Sequence, residues 1–162
     1  MQIYIIMGVA GCGKTTLAKA AAEKLGLPFI EADDHHSDIN IAKMKEGRPL
    51  DDTDREPWID NLIAAAKAHE TDVVMSCSAL TKFVRKRLRA GLNGNCTFIH
   101  LHGSPRIIRK RLTDRKDHYF GADLLASQFT ALEMPNRAHT LDIENDIETL
   151  VSQAYAIIKP AA

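Results

Sequence analysis

Gly8, Gly13, Lys14 and Thr15 stand in the spacing G-x-x-x-x-G-K-[ST], filled here as Gly8-Val9-Ala10-Gly11-Cys12-Gly13-Lys14-Thr15. Glycines at these points let a loop turn successive backbone N–H groups inward, where they cradle phosphate oxygens. The lysine of the pattern reaches the β- and γ-phosphates of a nucleotide, and the hydroxyl after it is a hard oxygen ligand suited to Mg²⁺. Val9, Ala10, Gly11, Cys12 and Thr16 complete the candidate ATP-binding segment around those four residues. The plain alternative is a glycine-rich strand-to-helix turn with an ordinary surface lysine. Cys12 lies beside Lys14 and a helix start, a setting that lowers a thiol pKa. A small residue tolerated in the loop is the preferred reading; the alternative is that oxidation or alkylation there blocks nucleotide entry, with bound ATP protecting it.

A second set of groups follows in Glu31-Ala32-Asp33-Asp34-His35-His36. Two apart on a strand, Glu31 and Asp33 share a face. Glu31 can then hold a Mg²⁺-bound water while Asp33 accepts the proton of an acceptor hydroxyl. Asp34 and His35 read as a solvated turn, and the neighbouring histidines lack a metal-ligand spacing. Later in the chain, Arg111 and Arg115 are four residues apart and so lie on one helical face. Arg115 can close on the migrating phosphoryl group, and Arg111 can stack near the adenine.

These groups need elements to hold them. Ile3-Tyr4-Ile5-Ile6-Met7 is a short, apolar, β-branched run that reads as a strand buried on both faces. A helix is expected from Lys14 to Leu25, with Gly26 as its left-handed stop. Further strands are expected over Pro28–Ala32, Asp72–Ser76, Cys96–Leu101 and Thr140–Ile143. Helices are expected over Asn40–Glu46, Asp54–His69, Thr81–Ala90, Pro105–Lys116, Leu124–Leu132 and Ile147–Ile158. Ser104-Pro105 has the form of an N-cap followed by a first-turn proline. Strands alternating with helices imply an α/β fold with a mainly parallel sheet covered on both faces, and function at the carboxyl ends of its strands.

Composition narrows the function. The chain has 162 residues, 45% apolar, with 21 basic and 21 acidic side chains, so no net charge is available to grip nucleic acid or an anionic membrane. From Lys82 to Lys116, however, eleven Lys or Arg face a single acid, Asp114. Most of these read as solvated helix faces. No apolar run reaches the length of a membrane span, and the start of the chain lacks the pattern of an export signal. The three cysteines, Cys12, Cys77 and Cys96, show no C-x-x-C pair. Reduced thiols and the lack of an export pattern give a cytoplasmic expectation. A phosphate-binding loop is shared by kinases, GTPases and motor ATPases. No N-K-x-D guanine-reading segment occurs, and 162 residues leave little room for the extra elements of a motor or AAA-type ATPase. A compact kinase fits best. A nucleotide-binding switch without transfer activity is the alternative from another class.

Beyond the loop, Asn40-Ile41-Ala42-Lys43-Met44 and Gly47-Arg48-Pro49-Leu50-Asp51-Asp52-Thr53-Asp54-Arg55-Glu56-Pro57-Trp58 resemble the segment of gluconate kinases that follows their acidic strand end. Cys77-Ser78-Ala79-Leu80, with Lys82 and Arg85, resembles another of their motifs. So do Arg115-Lys116-Asp117-His118-Tyr119-Phe120, Leu124 to Phe129, and Leu132-Glu133-Met134-Pro135. The matches run in order from the first strand to about Pro135. Four places differ from the family pattern: Glu31-Ala32-Asp33 stands for Asp-Gly-Asp, His36-Ser37 for His-Pro, Asp38 for a basic residue and Val84 for a tyrosine.

The resemblance implies a fold similar to shikimate and nucleoside monophosphate kinases: one three-layer domain over 1–162, a five-stranded parallel sheet flanked by helices, a substrate-binding region over about 33–70 and a helical lid over about 115–135. It implies transfer of the ATP γ-phosphoryl group to the terminal hydroxyl of D-gluconate with Mg²⁺, and a homodimer. Lys14, Asp33 and Arg115 would be catalytic; Asp33, His36, Arg55 and His118 would meet the acceptor; Thr15, and Glu31 through water, would serve the metal. Arg55 suits the sugar-acid carboxylate because a planar guanidinium binds it in bidentate fashion. Another small hydroxy acid, such as a shikimate-like one, is the alternative acceptor. Trp58 reads as packing, and Cys77 and Ser78 as pocket lining.

Overall fold

The computed structural model describes residues 1–114 and 122–159. Five strands, β1 (Ile3–Met7), β2 (Phe29–Glu31), β3 (Val73–Ser76), β4 (Cys96–His102) and β5 (Ala138–Asp142), form one parallel sheet in the order β2-β3-β1-β4-β5. Among the described residues, seven helices surround it: α1 (Lys14–Leu25), α2 (Asp38–Lys45), α3 (Asp52–Lys67), α4 (Lys82–Gly91), α5 (Pro105–Asp114), α6 (Ala122–Ala131) and α7 (Ile147–Ile158). Among the described residues, no helix is long and apolar enough to cross a membrane.

The apolar run of β1 explains its central place. Ile3, Ile5 and Met7 point to one face, against Trp58, Ile59 and Leu62 of α3 and Leu88 of α4. Ile6 points to the other, against Leu17, Ala18 and Ala21 of α1 and Leu150 and Ala154 of α7. A strand apolar on both sides suits only a sheet covered on both sides. The chain leaves β1, passes over β3 to β2, and later returns on the far side to β4, so β1 flanks the point where the strand order reverses. That point opens a crevice at the carboxyl ends of the strands.

Local signals set the helix ends. Gly26 closes α1 with φ 65°. Ser104 Oγ accepts from Ile107 N at 3.3 Å at the start of α5. Asp51 and Asp54 form a capping box that opens α3. The expected β2 ends sooner, at Glu31, and a 3-10 turn over Ala32–His35 follows it. That turn corrects one expectation: Asp33 is not on the strand and does not share a strand face with Glu31. The Glu31 carboxylate bends back to accept from Asp33 N at 3.5 Å, which starts the turn.

Residues 115–121 lie outside the described residues, and with them Arg115 and His118. The rest of the expected lid is α6 and the segment leaving it.

Two histidines, one buried and one half-buried, make the fold sensitive to acid. His100, 1% exposed at the end of β4, and His36 both titrate at about 4, mainly because burial opposes the imidazolium. Nearby charge adds to this, from Arg55 at His36 and from His102 and Arg85 at His100. In the unfolded chain both bind a proton near the ordinary histidine value of about 6.5. Stability from these groups is therefore complete above about pH 6.5 and is lost as pH falls toward 4. Urea unfolding should show a clear fall in unfolding free energy between pH 6.5 and 4.5. His100→Asn should flatten that slope, and an unchanged slope would remove His100 from the account.

Candidate active site

The loop between β1 and α1 is shaped by its glycines. Gly8 has φ 152°, and a Cβ there would stand 2.7 Å from Cys12 Sγ and 2.8 Å from the Leu101 carbonyl. Gly13, at φ 98°, opens α1 from the left-handed region with no side-chain cap, so the first helical N–H groups face the crevice free of a capping side chain. Lys14 Nζ donates to the Val9 carbonyl at 3.1 Å, arching over the loop. Among the described residues, no carboxylate lies within ion-pair distance of Lys14. Thr16, in the first turn of α1, is exposed.

Thr15 Oγ1 donates to Glu31 Oε2 at 2.6 Å and lies 3.4 Å from Ser76 Oγ. Three adjacent strands thus supply one oxygen cluster: the loop after β1, the end of β2 and the end of β3. An all-oxygen donor set with one carboxylate suits Mg²⁺, which keeps several of its waters and takes few protein ligands. Glu31 in place of the family's aspartate has the reach to make this bond and to start the Asp33 turn as well. Ser76, fully buried, was missed by sequence reasoning because it reads as one more strand residue.

Cys77, buried at the end of β3, reports which charges gather here. Its thiol is pushed up to about 12, first by burial, with a hydrogen bond from the Ala79 backbone opposing. Asp33 and Glu31 raise it further and Lys14 lowers it. Lys14 of the phosphate loop and the Glu31 and Asp33 carboxylates after β2 therefore lie on the same side of the sheet as this buried thiol.

Around Asp33, the acceptor side is built on Trp58. Its indole N–H donates to the Ala32 carbonyl at 2.8 Å, and its ring stacks on His36 with centroids 4.5 Å apart and planes 11° from parallel. Trp58 is buried and serves as packing. Arg55, one turn earlier on α3, is close enough to depress the His36 pKa and pairs with Asp52 at 3.1 Å. The buried Nδ1 of His36 has no hydrogen-bond partner among the described residues. Ser37, in place of proline, accepts from Asn40 N at 3.1 Å and caps α2. Buried Asn40 then donates to the Asp54 carbonyl at 2.8 Å, tying α2 to the start of α3.

Two further expectations meet the structure differently. Arg111 donates to the Ile143 carbonyl just after β5, and its charge lowers the Cys12 pKa, which places it at the loop's flank. Cys12 is corrected: it is 1% exposed, and burial raises its pKa more than Lys14, Arg111 and the backbone lower it. An inaccessible, protonated thiol is inert, so the alternative of an oxidation switch has no basis. The Ala10 N–H is engaged by Gln128 Oε1 of α6 at 2.5 Å, a contact across 118 residues that no local pattern announces.

A nucleotide-phosphate loop, an acidic oxygen cluster and a separate acceptor side at the switch of a β2-β3-β1-β4-β5 sheet define a P-loop small-molecule kinase. Residues 5–120 match the family model described as AAA domain, which spans the phosphate-binding core from β1 through α5. The thermoresistant gluconokinase of Escherichia coli is 40% identical, with 98% of this chain and 94% of that protein covered. A probable gluconokinase of Xenopus tropicalis is 39% identical over 94% of this chain and 90% of that protein. A gluconokinase structure from Sinorhizobium meliloti superposes with a TM-score of 0.88 at 38% identity, covering 96% of this chain and 90% of that one. The chain belongs to the gluconokinase family.

Proposed function

We propose that this chain transfers the γ-phosphoryl group of ATP to the terminal hydroxyl of D-gluconate, giving 6-phosphogluconate and ADP. The observation that carries the reading is the 2.6 Å Thr15–Glu31 bond, which sets the phosphate loop against the acidic end of β2 in a chain 40% identical to a gluconokinase over 98% of its length. The hydroxyl oxygen bonds to the γ-phosphorus as the bond to the β,γ-bridging oxygen breaks, and the hydroxyl proton passes to Asp33. Lys14 stabilises the charge that develops on the transferred group, and Gly8 to Thr16 hold the phosphates. Arg111 borders the nucleotide base. Thr15, and Glu31 through water, would hold Mg²⁺, which would screen the phosphate charge.

On the acceptor side, Arg55 pairs with the sugar-acid carboxylate and His36 meets a hydroxyl. His36 is neutral at physiological pH, so it can meet that hydroxyl without adding a second positive charge beside Arg55. His118 is assigned to the same acceptor, and Arg115 to the migrating phosphoryl group, from their sequence motif. The substrate region spans about 33–70 and the lid about 115–135 of a single domain, acting as a cytoplasmic homodimer. Three free cysteines, two of them buried, fit a reducing compartment.

Arg115→Ala should lower kcat about 10²-fold while ATP affinity changes only a few-fold, since a donor to transition-state charge acts on turnover. Near-normal turnover would remove Arg115 from the mechanism. The acceptor assignment is tested by ADP release over a panel of sugar and hydroxy acids that includes shikimate. D-gluconate should give the highest kcat/KM, and preference for another acid would direct attention to Glu31, Ala32, Ser37 and Asp38.

A further inference from the structure

Arg85 is 3% exposed, yet among the described residues no carboxylate pairs with it. Its guanidinium fork is spent on backbone carbonyls. NH1 donates to Ala79 O at 2.7 Å and Leu80 O at 3.0 Å, and NH2 donates to Glu133 O at 2.7 Å. A planar guanidinium spreads its donors over a fixed fork, so NH1 and NH2 reach carbonyls of two different segments that the single nitrogen of an ammonium is less able to span. The same two segments are joined again by Glu133 itself. Its N–H donates to Leu80 O at 2.9 Å, and its carboxylate accepts from Lys82 N at 3.0 Å, in the first turn of α4.

Both clasped segments border the site. The 77–81 loop leaves β3 beside the phosphate loop, where Gly8 N donates to Ser78 O at 3.3 Å. Within it Ala79 adopts φ 45°, a left-handed conformation that a non-glycine residue holds only when its surroundings enforce it. Arg85 grips the carbonyl of that residue. The other segment leaves α6, whose Gln128 holds Ala10 N of the phosphate loop.

We infer that Arg85 is a positioning residue: its buried guanidinium locks the β3–α4 loop to the chain leaving α6, and through Gln128 sets where the phosphate loop sits. Its effect on turnover rests on the kinase reading above, but its effect on the clasp does not. In Arg85→Lys, amide exchange should quicken at Glu133, Lys82 and Ala10. kcat with gluconate should fall about tenfold or more, because sub-ångström misplacement of a reacting group is costly. Gln128→Ala, a change at a half-buried position of α6 that leaves the guanidinium untouched, should lower kcat in the same direction. The two losses should not add in the double variant, as expected for residues acting through one unit.

A merely structural arginine would lower the melting temperature while leaving kcat and Ala10 exchange at parental values, and that result overturns the inference. Additive losses in the double variant overturn it too. Should Arg85→Lys not fold, the exposed substitution Glu133→Ala carries the exchange test at Lys82 and Ala10. If the parent protein fails to phosphorylate gluconate, the kinase reading falls while the exchange measurements still decide the clasp.

Discussion

Asp33→Asn is expected to lower kcat about 10³-fold, within the range for loss of a positioned general base. The substitution keeps the size of the side chain and leaves the 3-10 turn intact, since that turn is started by Glu31 and not by the Asp33 carboxylate. Asp33 is exposed at the crevice, and its charge reaches the same Cys77 thiol as that of Lys14. An amide in its place can still orient the acceptor hydroxyl but cannot take its proton. Gluconate KM should therefore change little, and the loss should fall on kcat. Steady-state kinetics of the folded variant check this; a kcat within threefold of the parent would require another base.

Lys14→Met is expected to cost about 10³-fold in kcat and to weaken ATP binding as well, because the ammonium contacts phosphates in both the ground and transition states. The unliganded contact of Lys14 Nζ with the Val9 carbonyl is a single neutral-acceptor hydrogen bond of 3.1 Å, so little holds the ammonium back from a phosphate. Met fills the same stem volume, and folding stability should stay close to parental. Single-turnover rates and equilibrium nucleotide binding separate the two effects. A large loss of binding with unchanged single-turnover rate at saturation would limit Lys14 to holding the nucleotide.

The predicted losses rest on parts of the molecule that the sequence announces unequally. β1 and α1 were legible to the residue, since an apolar β-branched run between Gln2 and Gly8 has no other use than a strand covered on both faces, and Gly26 can stop a helix where few residues can. The phosphate loop and the acidic end of β2 were legible as well, because their chemistry depends on local spacing. Asp33 was found, but its backbone was not: a strand pattern cannot show that a glutamate side chain will bend the next residues into a 3-10 turn. At Cys12 the pull of a helix start and Lys14 is local, while the burial that outweighs it comes from the core cluster that includes Val9 and Leu17, which favours the tolerated small residue over the oxidation switch. Arg85 and Gln128 stand in motifs the sequence displays, but their contacts with Glu133 and Ala10 do not follow from it because the partners lie far along the chain, and Ser76 looks like an ordinary strand position.

The most direct test is product analysis by phosphorus NMR after incubating the purified protein with Mg-ATP and D-gluconate. ADP and 6-phosphogluconate should form in equal amounts, with ADP release negligible when gluconate is omitted. Inorganic phosphate released at the same rate with or without gluconate, or ATP left intact, would contradict transfer to gluconate.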